Sequence, residues 1–181
     1  SAEGEEKKAE APVKLPEIVP PKTVESGTSA GEQNGSMPFG YPVPATEGVD
    51  GTRDPQVEAV LACVHGVFKA FSDSDTAAFS HFVDAECRFV RTGFTEDGVP
   101  DVTSYPKEYF LATLEKTKKG VLTETIEQPF VQMRDNLIAH VWCRYQLSVG
   151  GSPKYRGVKS LQLRNTPSGW KIVNVCDTVD S

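Results

Sequence analysis

The chain is poor in the features that announce most chemistries. Its four cysteines, Cys63, Cys87, Cys143 and Cys176, lack CxxC spacing, and its three histidines, His65, His81 and His140, stand far apart. A zinc site needs clustered ligands, so no metal is expected. No Gly-rich phosphate loop or nucleophile elbow occurs, and no cofactor is expected. No apolar run approaches the roughly eighteen residues that a membrane span requires. With 19 Lys and Arg against 25 Asp and Glu, the chain also lacks the cationic excess that displaces phosphate counterions. That argues against a nucleic-acid partner.

The acidity is local. Residues 1–50 hold nine acids and four lysines, which is −5 of the total −6, so the remainder is nearly neutral. The same fifty residues hold seven of the thirteen prolines. Proline fixes φ and removes a donor, so neither helix nor central strand is expected there. Residues 1–52 read as an extended acidic arm. Such a segment cannot bury enough apolar surface to offset its ordering entropy. It nevertheless carries two apolar clusters, Leu15, Ile18 and Val19, then Met37, Phe39, Tyr41 and Val43. The arm is either disordered or docks these clusters on a partner. The chain opens on Ser1 without an apolar signal segment. Either a presequence has been removed, which would suit an organelle, or the chain was trimmed.

Residues 53–181 read as one α+β domain. Asp54-Pro55 is a good helix start. Val57, Val60, Leu61, Val64, Phe68 and Phe71 follow at three- and four-residue steps, an amphipathic helix. Ser72–Asp75 breaks it and caps a second, short helix bearing Phe79, Phe82 and Val83. Glu86–Thr92 reads as a strand, and Thr103 or Ser104 as the cap of a third helix with Phe110, Leu111 and Leu114. Lys116–Gly120 supplies cations in its last turn and glycine at its stop. Val121–Met133 is extended, and Asp135-Asn136 turns the chain. From Leu137 to Val149 apolar and polar residues alternate, a long strand with one apolar face. Strands over Lys154–Arg164 and Trp170–Cys176 complete an antiparallel run. Helices should cover one face of a curved sheet. The cysteines lie in apolar patterns and read as buried thiols, with a Cys143–Cys176 disulfide as the alternative.

The stretch Tyr155-Arg156-Gly157-Val158-Lys159-Ser160-Leu161-Gln162-Leu163-Arg164, followed by Gly169-Trp170-Lys171-Ile172-Val173 and Asp177-Thr178, resembles the nuclear transport factor 2-like superfamily and its SnoaL-like polyketide-cyclase relatives. The resemblance covers about residues 54–178. It implies a cone-shaped sheet with three helices on one face. It also implies a pocket that, in enzymatic members, holds a His or Asp acting as acid or base. Here Tyr155 and Lys159 stand where those residues are expected, on the face shared by positions 155, 157, 159, 161 and 163. Tyrosine and lysine titrate near 10, so neither is a ready base at neutral pH. Tyr155, Lys159 and Trp170 are the pocket-lining candidates, and no catalytic residue is assigned.

His140, Trp142 and Arg144 share the opposite, polar face of their strand. They could serve as proton shuttle, stacking plate and anion clamp, but such a stripe suits a protein interface or a solvated face better. His65 and His81 read as surface or core-edge residues. Asp84 and Glu86 near Arg88 and Arg91 read as surface ion pairs rather than paired acid–base carboxylates. The expectation is a non-catalytic accessory or structural subunit of a larger assembly. It would dock on other protein subunits through Leu15, Ile18, Val19, Met37, Phe39 and Tyr41 of the arm and through His140, Trp142 and Arg144. The alternatives are a homodimeric ligand-binding module, or a SnoaL-like isomerase, cyclase or dehydratase using His81, Asp84 or Tyr155.

Overall fold

The computed structural model describes residues 54–180. The arm and its six anchors lie outside them. Helix α1 spans Pro55–Asp73, with Asp54 accepting from the Gln56 N–H as N-cap and Pro55 opening the helix. Its Val60, Leu61, Val64, Val67, Phe68 and Phe71 are buried. Ser74 ends it in the left-handed region, and Asp75 caps α2 (Thr76–Phe82) by accepting from Ala78 N–H.

Six strands follow: β1 (Val83–Phe94), β2 (Pro100–Pro106), β3 (Leu122–Arg134), β4 (Ile138–Val149), β5 (Ser152–Thr166) and β6 (Gly169–Thr178). Helix α3 (Lys107–Lys116) lies between β2 and β3. The strands form one curled, unclosed sheet ordered β2-β1-β6-β5-β4-β3. Four of its five pairings are antiparallel, while β1 and β6 run parallel. The helices cover one face, where Ala139, Val141, Cys143, Tyr145 and Leu147 of β4 are buried. Among the described residues no helix is long and apolar enough to cross a membrane.

One sequence expectation needs correction, and one alternative falls away. Thr103 and Ser104 do not cap α3; they pair with Arg91 and Val90 as part of β2. The helix starts at Lys107 behind Pro106, which offers no side-chain cap. Proline disfavours helical backbone in the residue before it, Tyr105, and the β-branched Val102 and Thr103 suit an edge strand. All four cysteines are free, and Cys143 lies on the helix-covered face whereas Cys176, opposite Ser160, lies on the other.

Two bulges shape the sheet. In β3, Gln128 takes φ 50° and the register shifts between Glu127 and Phe130. Leu122, Glu124 and Ile126 therefore share the inner face with Val131 and Met133, across a change of parity. Pro129 sits beside this bulge on an edge strand, where its missing donor is harmless. In β6 the pairing with β5 slips at Val173, so Ile172 opposite Leu163 and Val175 opposite Leu161 both face inward.

Candidate functional site

The inner face and the helices enclose a cavity of about 90 Å³. Its walls are apolar: Phe68 and Phe71 from α1, Phe79 from α2, Phe89 from β1, and Tyr105, Tyr109 and Phe110 around α3. These rings pack on one another, with Phe89 and Phe110 centroids 4.2 Å apart and Tyr105 and Tyr109 4.7 Å apart.

Four ionised side chains reach the same cavity from four strands: Arg91, Glu124, Lys159 and Asp177. Arg91 clamps Asp177 through Nε to Oδ1 at 2.9 Å and Nη2 to Oδ2 at 3.2 Å. The Lys159 ammonium donates to Asp177 Oδ2 at 3.2 Å and pairs with Glu124 Oε1 at 2.7 Å. It also sits 4.4 Å from the Tyr145 ring centroid, a cation–π contact. Lys159 and Asp177 are only 6% and 7% exposed. Burial of charges at that depth is tolerated only where partners replace water.

The end of β6 is fixed so that Asp177 can serve both cations. Tyr145 Oη donates to the Thr178 carbonyl at 2.8 Å, and Val158 N–H donates to Thr178 Oγ1 at 3.1 Å. Thr92 Oγ1 donates to the Asp177 carbonyl at 3.1 Å. Gly157 makes room: a Cβ there would run into the Thr178 carbonyl oxygen.

Three of the four are held ionised. Burial favours a neutral Asp177, but Lys159 and Arg91 outweigh it and keep the carboxyl below the usual carboxylate range. Burial likewise opposes the Lys159 and Arg91 charges, yet Glu124 and Asp177 raise Lys159, and Asp177 raises Arg91. Burial, followed by the Asp177 charge, lifts the Tyr145 hydroxyl above its ordinary value. Burial pushes the Cys63, Cys87 and Cys143 thiols up to about 12, so they are inert as nucleophiles at neutral pH.

Of the expected pocket residues, Tyr155 and Lys159 line the cavity; Trp170 does not. It is buried elsewhere in the core, its carbonyl accepting from Cys63 Sγ at 3.2 Å. His81 is exposed, edge-on to the Phe82 ring, and Asp84 is paired with Arg164 at 2.5 Å, both away from the cavity. Arg91 turns inward to Asp177 rather than joining a surface pair.

His140 and Trp142 belong to the uncovered face, in two rows that cross four strands. One row is Gln132, His140, Gln162 and Asn174, continued on β1 by the exposed Arg88; the next is Phe130, Trp142, Ser160 and Cys176, continued on β1 by Val90. With His140 neutral, none of the eight carries a charge. Trp142 is 50% exposed at the centre. His140 Nε2 lies 2.9 Å from Ser160 Oγ, and burial lowers its pKa. Charged rows flank the pair: Glu127 and Arg144 on one side, Arg134, Arg164 and Lys171 on the other.

The profile of the SnoaL-like domain matches residues 60–175. The chain belongs to the SnoaL-like domain family. Solved structures of the nuclear transport factor 2-like superfamily share its fold. An NTF2-like protein from Cytophaga hutchinsonii is 11% identical, with a TM-score of 0.55 over 70% of this chain and 99% of the other. A superfamily member from Salmonella enterica is 14% identical, with a TM-score of 0.53 over 70% and 92% of the two chains. The association domain of CaMKII from C. elegans is also 14% identical, with a TM-score of 0.52 over 67% and 94%. At these identities the likeness is one of fold. No curated protein matches the SnoaL-like chain.

Arg91, Glu124 and Asp177 were not among the pocket candidates read from the sequence. Lys159 held the signal that could have found them. A cation in the middle of a buried strand face requires carboxylates on adjoining strands.

Proposed function

We propose that this SnoaL-like domain is a non-catalytic structural subunit whose uncovered sheet face pairs two copies within a larger assembly. The arm's clusters would dock the other subunits. The observation that carries this reading is the pair of uncharged rows around Trp142. A chain that is 24% charged leaves eight cross-strand neighbours without charge on an uncovered face. Charge depletion with an exposed aromatic centre is the composition of an interface core. In a twofold contact each patch meets its own copy, so a row charged with one sign would repel itself. The association domain of CaMKII lends the fold a precedent by its name alone.

The inner face supports the non-catalytic part. Asp177 accepts from two cations at once, so its carboxylate is a poor base, and Lys159 stays protonated. The alternative, a SnoaL-like isomerase, cyclase or dehydratase, draws on the open cavity and on Tyr155 at its wall.

Sedimentation equilibrium of the full chain tests the proposal. The expected result is a dimer at micromolar concentration that Trp142→Glu converts to a folded monomer. A monomeric wild type, or a dimer indifferent to Trp142→Glu, would refute it.

A further inference from the structure

Across β3 to β6 the uncovered face is lopsided in charge. On one side of the two uncharged rows lie Glu127 and Arg144, followed by Val158 and Thr178. On the other side lie Arg134, Ile138, Arg164 and Lys171, with three cations and no carboxylate. Successive rows are two residues apart along a strand, about 7 Å. Glu127, which is exposed, is thus the one carboxylate in these four rows, and the cations gather at the far edge. Arg164 is held by Asp84, and Lys171 donates to the His81 carbonyl. Arg134 is paired with its sequence neighbour Asp135, but both are exposed, and such a pair holds an arginine only weakly.

If two copies pair through this face, as proposed above, the rows also decide how the copies turn. Two sheets meet face to face about a twofold axis lying in the contact plane, and aligned packing lets that axis run along the strands or across them. Along the strands, the cationic row meets itself. With the axis between β4 and β5, Arg134 faces the partner's Lys171, and Glu127 faces the partner's Thr178. Across the strands, between the His140 and Trp142 rows, each row meets the opposite one strand for strand. Arg134 then faces the partner's Glu127, and Arg144 lies over the partner's Ile138. Arg164 and Lys171 face the partner's Val158 and Thr178, which carry no charge. By symmetry, two unlike pairs replace two like ones. We infer that the axis runs across the strands, so that an Arg134–Glu127 ion pair closes each end of the contact and Trp142 rests on the partner's His140. The uncharged rows supply the contact, and the charged edges specify its direction.

Charge reversals in the full chain, followed by sedimentation equilibrium, read the orientation. Arg134→Glu and Glu127→Arg each oppose two like charges and should raise the dimer Kd about tenfold. The double variant exchanges the partners and should return to within about threefold of wild type. About an axis along the strands, Arg134→Glu would instead meet the partner's Lys171 and tighten the dimer. Tightening by Arg134→Glu, or no change from either reversal, would overturn the orientation and leave the pairing of faces standing. A monomeric wild type would overturn both. Isotope-filtered NOEs between one labelled and one unlabelled wild-type copy decide the orientation without a variant. The Trp142 indole should reach the partner's His140 ring, and contact with the partner's Ser160 in its place would overturn the inference.

Discussion

The two faces of the sheet invert the usual distribution of charge. The face under the helices holds four charged side chains, whereas the uncovered face has, across β3 to β6, two rows totalling eight residues with none. The inner charges are there as a set, each carrying its counter-charge from a neighbouring strand, so the fold depends on all of them. The outer rows do little for the isolated fold, because their side chains have no second layer to pack against. What the contrast teaches is that charge on this domain marks structure inside, while its absence outside marks the face proposed for contact. Stability should therefore be sensitive to inner polar changes, and association to outer ones.

Removing the acceptor shared by two cations should cost most. Asp177→Ala strands Arg91 and Lys159 in a buried site. Breaking a buried ion pair in this way costs about 3–5 kcal/mol. Urea or guanidinium titration of the purified variant measures it; a loss under about 1 kcal/mol would mean that water already reaches the cluster. Gly157→Ala comes next, at about 1–3 kcal/mol for overpacking, because a methyl cannot share space with the Thr178 carbonyl that holds Asp177 in place. On the other face, Trp142→Glu should move monomer stability by no more than about 0.5 kcal/mol, as exposed substitutions do. Its effect on sedimentation should nonetheless be complete. A large loss of monomer stability would erase the distinction between the faces.

The inner face contributes to the pH dependence at both extremes. The Asp177 pKa is lower folded than its ordinary 3.8, so its contribution is full above that value and is lost as pH falls through the folded value. The Lys159 pKa is raised above 10.5, so its contribution is full below 10.5 and disappears as pH rises through the folded value. Wild type should show a stability plateau that falls off at both ends. Stability curves of Asp177→Ala should have a shallower acid limb, the Asp73 and Asp84 carboxyls, held below 3.8 by Lys69 and Arg164, supplying the rest; an unchanged limb would assign it wholly to other carboxylates.

Much of this architecture was legible from spacing. The long alternation from Leu137 to Val149 named the apolar face of β4, and positions 155 to 163 of β5 lie on the buried face as a strict period of two requires. Strand β2 was hidden because five residues between two prolines look like a loop until β1 offers an edge to pair with. The quartet was hidden by the bulges. Strict alternation from Trp170 and Ile172 puts Asp177 on the opposite face, and only the slip at Val173 turns it inward to Lys159. In β3 the shift between Glu127 and Phe130 likewise separates Glu124, facing in, from Phe130, facing out, although an even spacing would put them together. Bulges are set by sheet curvature, a property of all strands at once, so a strand-by-strand reading misses them.

The smallest effect lies at the centre of the uncharged face. His140 is opposite Gln132 on β3 and Gln162 on β5, and bonds to Ser160; Trp142 is its neighbour on β4. The nearest charges are Arg134 and Arg164 in the adjoining row, cations paired with Asp135 and Asp84. No carboxylate in these rows welcomes an imidazolium, and burial holds the His140 pKa below 6.5. As pH falls below 6.5 the unfolded chain therefore takes up the proton first, and folding stability declines toward the folded pKa. A dimer contact that buries the ring further would steepen the decline for the associated form. Denaturation midpoints at pH 7.5 and 5.5 should differ less in His140→Gln than in wild type, and the dimer of the variant should dissociate less on acidification. Identical slopes in the two proteins would show that His140 keeps its water, and that the outer rows stay open to solvent.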